Sequence, residues 1–287
     1  MKTADAWAKY LQWRPIGPAS MGGRIVDMEV VESNPFTFYI ATASGGLFKT
    51  INNGTTFTPV FENEKTVSIG DVAISKSNPA IIWIGTGEHN ARNSVSWGDG
   101  VYKSTDGGKT WTNMGLHESA HIGAVAIDPL DKNLVYIAAM GRRGSGGQRG
   151  IYKTTDGGKT FERVLSAGER TAFVDLVIDP NERNRLYASA WDRSGNKSGV
   201  FRSDDQGKSW KRLGGGLPDE QIDRVAIAVS SSRPGVLYAL MADRSSPNLS
   251  RRRDAAILFR SNDHGDSWSR AHSKYVPTYI GWDFCDL

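Results

Sequence analysis

An acidic octapeptide that recurs along the chain contains the residue types that proteins use to hold phosphate or calcium. Its clearest copy is Ser104-Thr105-Asp106-Gly107-Gly108-Lys109-Thr110-Trp111. A phosphate-binding loop has the pattern Gly-x-x-x-x-Gly-Lys-Ser/Thr, but Lys103 stands where the first glycine would be. A calcium loop needs several carboxylates at alternate positions and a closing glutamate, which no copy supplies. The octapeptide therefore predicts a structural turn rather than a phosphate or metal site.

A second group of chemically active side chains lies between residues 88 and 99. It combines carboxylates, amides, a cation and an indole, which is the mixture that a sugar or peptide site uses. The predicted ligand-binding residues, including four outside this group, are Arg24, Glu88, Asn90, Arg92, Asn93, Trp97, Asp99, His121, Trp191 and Arg224. For any one of them, an ordinary polar loop residue is the simpler interpretation, and only residues 88–99 stand out as a cluster.

Recognisable catalytic patterns do not accompany these residues. The sequence has no histidine and cysteine set with zinc spacing, and no serine in a Gly-x-Ser-x-Gly setting. His121 alone is more typical of a structural histidine than of a base. We therefore predict no catalytic residue, no metal and no cofactor.

The octapeptide is the marker of an internal repeat. An aspartate can accept hydrogen bonds from the backbone of its own turn, and a closing aromatic residue can pack on the sheet behind it. The residues to which we assign these structural roles are Asn52, Asp106, Asp156, Asp205 and Asp263 at the third position, and Trp111, Phe161, Trp210 and Trp268 at the end. The third positions are 49 to 58 residues apart.

The segments around each octapeptide predict four short strands per repeat. A small apolar run, a turn with proline, a second apolar run, a loop and a third run precede the octapeptide, and a short fourth run follows it. Four antiparallel strands in about 50 residues form one propeller blade, and blades must stack around an axis to bury their faces. We expect a single all-β propeller domain over residues 1–287, with blades at about 22–65, 66–118, 119–168, 169–216 and 217–274, and the first strand of a further blade at 275–287. The pattern thus predicts five complete blades of an incomplete propeller that has six to eight blades.

The octapeptide resembles the Asp-box, or BNR repeat. The resemblance is to sortilin-type receptor domains, bacterial BNR-repeat proteins and photosystem II assembly-factor propellers, and it implies binding of protein or peptide ligands. The segment Trp13-Arg14-Pro15-Ile16-Gly17-Pro18 followed by Gly22-Gly23-Arg24 is most similar to large bacterial sortilin-type proteins. We predict a non-catalytic scaffold that binds a protein, peptide or glycan on its loop rim, which is the rim formed by the loops between the second and third strands, opposite the Asp-boxes.

The alternative is a glycoside hydrolase, or an inactive relative of one. Asp-boxes also occur in sialidases and in xyloglucan-hydrolysing enzymes, and glycoside hydrolysis needs two carboxyl groups across the scissile bond. In the xyloglucanase-like family one catalytic aspartate precedes a Gly-Gly-aromatic strand of the first blade, and Ala43 holds that place here. Its partner comes from a second propeller. The sialidase signature Arg-Ile-Pro is absent, since Arg14 is followed by Pro15 and Ile16.

Composition restricts the class of partner and says little about the compartment. The chain of 287 residues has a net charge of +4, and its basic clusters are local, so a nucleic-acid partner is not expected. No apolar run is long enough to span a membrane. The single cysteine, Cys285, excludes an internal disulfide. No apolar leader is visible, although relatives are often exported or periplasmic, and we expect further blades or a second propeller of a longer chain as partners.

Overall fold

Short antiparallel strands account for the regular structure of the chain. The computed structural model describes residues 23–90, 95–142, 144, 146–192, 197–243, 255–272 and 276–277. Blade one contains β1 (Ile25–Val30), β2 (Phe38–Thr42), β3 (Gly46–Thr50) and β4 (Thr58–Pro59), and blade two contains β5 (Ile69–Ile74), β6 (Ile82–Thr86), β7 (Val101–Ser104) and β8 (Thr112–Gly115). Blade three contains β9 (Ile122–Ile127), β10 (Val135–Ala139), β11 (Gly150–Thr154) and β12 (Glu162–Leu165).

The last two blades have longer inner strands. Blade four contains β13 (Thr171–Ile178), β14 (Leu186–Asp192), β15 (Gly199–Ser203) and β16 (Lys211–Arg212). Blade five contains β17 (Ile222–Val229), β18 (Leu237–Asp243), β19 (Ala255–Ser261) and β20 (Ser269–Arg270), with β21 (Val276–Pro277) also paired to β19. Among the described residues the helical structure is one 3₁₀ turn, His117–Ser119, and no helix is long and apolar enough to cross a membrane.

The five sheets follow chain order, and each innermost strand lies beside the innermost strand of the next blade. The predicted all-β propeller of four-stranded blades is confirmed. Of the segment 275–287, only β21 is described, and it pairs with Ala255 and Ala256 of β19. The opening segment at 13–18, residue 275 and residues 278–287 lie outside the described residues.

Apolar faces pressed between neighbouring blades form the core. The second strands are the most deeply buried, because they lie between two paired strands and two packed faces. Tyr39, Ala41 and Leu47 of blade one pack in one cluster with Ile69 and Val72 of blade two. Burial of a Leu, Ile or Val side chain in this cluster contributes about 1.5–3 kcal/mol. The outer strands are short, and three of them, β4, β16 and β20, have two residues each.

Carboxylates on the innermost strands connect neighbouring blades through the backbone. Asp27 Oδ2 accepts the amide of Val72 at 3.0 Å, and Asp71 Oδ2 accepts the amide of Val125 at 2.6 Å. Asp175 Oδ2 accepts the amide of Ile227 at 2.9 Å. A shift in strand register immediately precedes each of the three aspartates, so these bulges aim the carboxylates at the next blade.

Candidate functional site

The Asp-box carboxylates are used inside their own turns. Asp156 Oδ1 accepts the amides of Lys159 and Thr160 at 2.9 and 3.0 Å, and Asp156 Oδ2 accepts the Thr160 hydroxyl at 2.7 Å. The Thr154 hydroxyl also donates to Asp156 Oδ1, at 2.8 Å. These bonds, led by the Thr160 hydroxyl, hold the pKa of Asp156 well below its usual range. The same arrangement occurs at Asp106, Asp205 and Asp263.

Blade one uses an amide in place of the carboxylate. Asn52 Oδ1 accepts the amide of Thr56 at 2.9 Å and the hydroxyl of Thr50 at 3.0 Å. Asn52 Nδ2 donates to the Thr56 hydroxyl at 2.9 Å. The turn therefore keeps its geometry without a charge.

The closing aromatic residues pack against the blades. Trp111 Nε1 donates to the carbonyl of Val60 in blade one at 2.7 Å. Phe161 meets Trp83 of blade two edge to face, with ring centroids 6.4 Å apart. The indoles of Trp210 and Trp268 donate within their own turns, to the carbonyls of Gly207 and Gly265. At Trp111 and Phe161 the box is therefore also a contact with the preceding blade.

A second repeated contact, which we call the inter-blade clasp, joins the boxes of blades two to five to the preceding blade. An aromatic residue of the second strand and a cation of the third strand lie together, and they meet the backbone carbonyl at the fourth position of the next box. Tyr39 Oη and Lys49 Nζ both donate to the carbonyl of Gly107 at 2.9 Å. Three further clasps have the same arrangement. Each pairs an aromatic residue with a cation at a backbone carbonyl: Trp83 and Lys103 at Gly157, Tyr136 and Lys153 at Gln206, and Tyr187 and Arg202 at His264. The indole of Trp83 makes no hydrogen bond there.

On the loop rim, residues from three blades meet near the axis. Glu88 of blade two forms an ion pair with Arg24 of blade one, and the Glu88 side chain is only 3% exposed. His89 Nδ1 lies 2.6 Å from the carbonyl of Gly70. Arg224 Nη1 of blade five donates to the carbonyl of His89 at 3.2 Å, although the two residues are 135 positions apart. The structure thus brings together the partly exposed Arg24 and the buried Glu88 and Arg224.

Several other predicted residues are also buried rather than displayed. Asn90 and His121 are buried, and burial, with the nearby charges of Arg149 and His89, lowers the pKa of His121 to about 4. His121 is therefore neutral at pH 7. Trp191 is buried, and its indole donates to Asp223. Arg92 and Asn93 lie outside the described residues.

Among the predicted site residues that the structure describes, Trp97 is the most open to solvent, with 59% of its surface exposed. Its backbone is fixed, because the Thr66 hydroxyl donates to the Trp97 carbonyl at 3.2 Å and the next amide, that of Gly98, donates to Ala120. The guanidinium of Arg142 lies 5.8 Å from the centre of the indole ring, and Arg142 is paired with Glu118. This arrangement, the Trp97 patch, is an exposed aromatic surface edged by charges of both signs.

Asp99 serves its own blade. Its Oδ2 accepts the hydroxyl of Tyr102 at 2.8 Å, and its amide donates to Thr86 Oγ1 at 2.9 Å. Within the described part of the chain, no group of three or more histidine, cysteine, aspartate or glutamate side chains is arranged to hold a metal ion. On this rim Asp99 is thus engaged by Tyr102 through Oδ2, and Glu88 is paired with Arg24.

We expect the ion pair on the loop rim to be structural. Breaking a buried ion pair by removing one partner costs about 3–5 kcal/mol, and because Arg24 is partly exposed we expect Arg24→Ala to cost about 2 kcal/mol. The double variant Arg24→Ala/Glu88→Gln removes both charges and should recover about half of that loss. Urea unfolding of the two single variants and the double variant measures the coupling, and strictly additive costs would contradict it.

Comparisons with known proteins agree with the repeat and the fold. A family model described as "Sortilin, neurotensin receptor 3" matches residues 99–215, a segment that contains three of the boxes. No curated protein sequence matches the chain. The predicted resemblance to sortilin-type Asp-box propellers is confirmed.

Solved structures show the same architecture, two of them in much larger molecules. The GH74 enzyme of Niastella koreensis is 20% identical with a TM-score of 0.65, covering 86% of this chain and 38% of that one. An ancestral GH74 enzyme is 23% identical with a TM-score of 0.69, covering 90% of this chain and 32% of that one. YCF48 from Cyanidioschyzon merolae is 15% identical with a TM-score of 0.50, covering 88% and 86%. The chain thus spans about a third of the length of the two GH74 enzymes, and these similarities concern the fold.

Proposed function

We propose that this propeller is a non-catalytic binding domain whose loop rim holds a protein, peptide or glycan ligand through the Trp97 patch. The observation that carries the proposal is the contrast between two predicted site residues. Glu88 is buried and paired with Arg24, whereas Trp97 exposes most of its indole on a fixed backbone. Exposed tryptophan beside arginine is the composition of an interaction hot spot.

The charges around Trp97 supply the polar part of such a site. Arg142 covers the ring at cation–π distance, and Glu118 pairs with Arg142. The Glu118 backbone amide donates to Gln148 Oε1 at 3.1 Å, which joins the 3₁₀ turn to the loop of blade three. We assign contact with the ligand to Trp97 and Arg142. The partly exposed Arg24 and the buried Glu88 and Arg224 then hold the loops that present them.

Trp97→Ala is expected to lower affinity at least tenfold for any glycan or peptide that an array identifies, since an aromatic hot spot contributes more than about 1.4 kcal/mol. Phe36→Ala is the matched control, because Phe36 is an exposed aromatic residue in a turn between first and second strands, at the opposite rim. Titration calorimetry with the selected ligand measures both variants. Equal affinity for wild type and Trp97→Ala would show that the ligand binds at a different surface.

The hydrolase alternative is tested separately, because two of the similar structures are GH74 enzymes. On a panel of fluorogenic glycosides we expect the wild type to show no turnover above that of Glu88→Gln/Asp99→Asn. Both replaced carboxylates are engaged by Arg24 or Tyr102, which leaves no free acid and base pair among them. Turnover that disappears in the double variant, with its circular dichroism unchanged, would overturn the binding proposal.

A further inference from the structure

Blade one exposes apolar side chains at positions that the other four blades bury. Ile25, at the start of β1, is 66% exposed, and Met28 is 54% exposed. Strand registers identify their counterparts, because each pairs with the matching residue of its second strand. The counterparts of Ile25 are Ile69, Ile122, Phe173 and Val225, those of Met28 are Val72, Val125, Leu176 and Ile227, and all eight are buried.

The preceding blade is what covers these positions elsewhere. Ile69 and Val72 of blade two pack with Tyr39 and Leu47 of blade one, and Val225 and Ile227 of blade five pack with Tyr187 of blade four. By the same geometry, Ile25 and Met28 lie on the face of blade one that a preceding blade would cover. Together with the box turn of blade one we call this surface the blade-one flank.

The inter-blade clasp gives the same result from polar contacts. The boxes of blades two to five each have their fourth-position carbonyl held by a cation of the preceding blade. In blade one that position is Asn53, and no described residue donates to its carbonyl. At the other end of the series, blade five carries a fifth donor pair in register, with Arg260 stacked 5.8 Å from the ring of Tyr238, and no described box lies in front of it.

We propose that the blade-one flank binds a further Asp-box blade of the same polypeptide, which presents an aromatic residue and a Lys or Arg to the Asn53 carbonyl and an apolar face to Ile25 and Met28. The occupant is a blade because four interfaces within this chain repeat the same acceptor and the same apolar positions. It belongs to the same polypeptide because the boxes of blades two to five are each held by the preceding blade in the chain, and the Tyr238–Arg260 pair continues that order. The contact of Arg224 with His89 shows that the blades curve around one axis, so a continued series returns to blade one.

Thiol labelling tests the proposal. Ile25→Cys and Leu130→Cys are made in a Cys285→Ser background, both in the 287-residue chain and in the product of the whole coding region. Leu130 is the matched control, because it is 72% exposed in a turn of blade three. In the 287-residue chain we expect the two thiols to react with a maleimide at similar rates. In the product of the whole coding region we expect the Ile25→Cys thiol to react at least tenfold more slowly and the Leu130→Cys thiol to be unchanged.

Every other result overturns the proposal. A coding region without a further Asp-box blade, or equal labelling at position 25 in both proteins, excludes a covering blade. Protection at position 25 in the 287-residue chain that grows with protein concentration assigns the flank to a second copy instead. Met28→Cys repeats the measurement at a neighbouring position if Ile25→Cys does not give the wild-type circular dichroism.

Discussion

Trp83→Ala is expected to destabilise the propeller by about 3–5 kcal/mol, the cost of removing a large aromatic side chain from a packed core. Trp83 is 0% exposed and joins two blades. Lys103 Nζ lies 5.3 Å from the ring centre, and Phe161 of the next blade meets the ring edge to face. Gly158 of the next box, with φ +98°, lies so close that a Cβ there would collide with the indole. The substitution therefore opens a cavity between blades two and three.

Two companion variants separate this effect from a general loss of tryptophan. Trp83→Tyr should cost less than about 1.5 kcal/mol, because it keeps most of the ring and gives blade two the hydroxyl that Tyr39 and Tyr136 donate to the next box. Trp97→Ala, at an exposed position, should stay within about 0.5 kcal/mol of the wild type. Urea unfolding followed by circular dichroism measures all three. Equal losses for Trp83→Ala and Trp97→Ala would contradict the assigned role of the clasp.

The fold was predictable because the repeat is local. Each octapeptide fixes one turn through neighbours four residues away, as Asp156 does with Thr160, and the adjacent runs then determine the strands. The clasp was also visible in principle, because an aromatic residue and a Lys or Arg recur at matched positions of the second and third strands. It was missed because pairing those positions with the next box requires the order of blades around the axis.

The site was less predictable because its contacts cross the molecule. Glu88 is an attractive catalytic or ligand-binding carboxylate in its own loop, and only the fold shows that Arg24 of another blade neutralises it. Trp191 is also engaged by another blade, since Asp223 of the next blade accepts a hydrogen bond from its indole N–H. The loop sequence alone gives residue types and not their burial. Only the arrangement of the blades shows that Trp97 is exposed and Trp191 is buried.

The innermost strands predict an unusual dependence of stability on pH. Burial, reinforced by the charge of Asp27, raises the pKa of Glu29 to about 7, with Glu32 adding to the shift and Lys76 opposing it. Burial and the neighbouring Asp27 carboxyl, to which it is hydrogen-bonded, also raise the pKa of Asp71 well above its usual range. The charge of Asp27 thus acts on both Glu29 and Asp71, and at these two carboxyl groups the neutral acid is favoured.

The sign of the effect follows from the raised pKa of Glu29. Glu29 binds its proton more tightly in the folded protein than in the unfolded chain. Its contribution to the free energy of unfolding is therefore complete below about pH 4.5 and is lost as pH rises through about 7. A shift of this size corresponds to about 3 kcal/mol for Glu29. The box carboxylates act in a separate window. The pKa of Asp205 and of Asp263 is lowered to about 2, so their contribution is lost only as pH falls below about 4.

We therefore expect the urea midpoint to fall steadily between pH 5 and pH 8, and Glu29→Gln to remove most of that slope because an amide does not ionise. Asp71→Asn should also flatten the profile, since its carboxyl favours the neutral form for the same reason. Glu62→Gln is the control, because Glu62 is an exposed glutamate of blade one and its replacement should leave the slope unchanged. A wild-type midpoint that rises between pH 5 and pH 8, or an unaltered slope in Glu29→Gln, would show that these carboxyl groups are hydrated and charged in the folded protein.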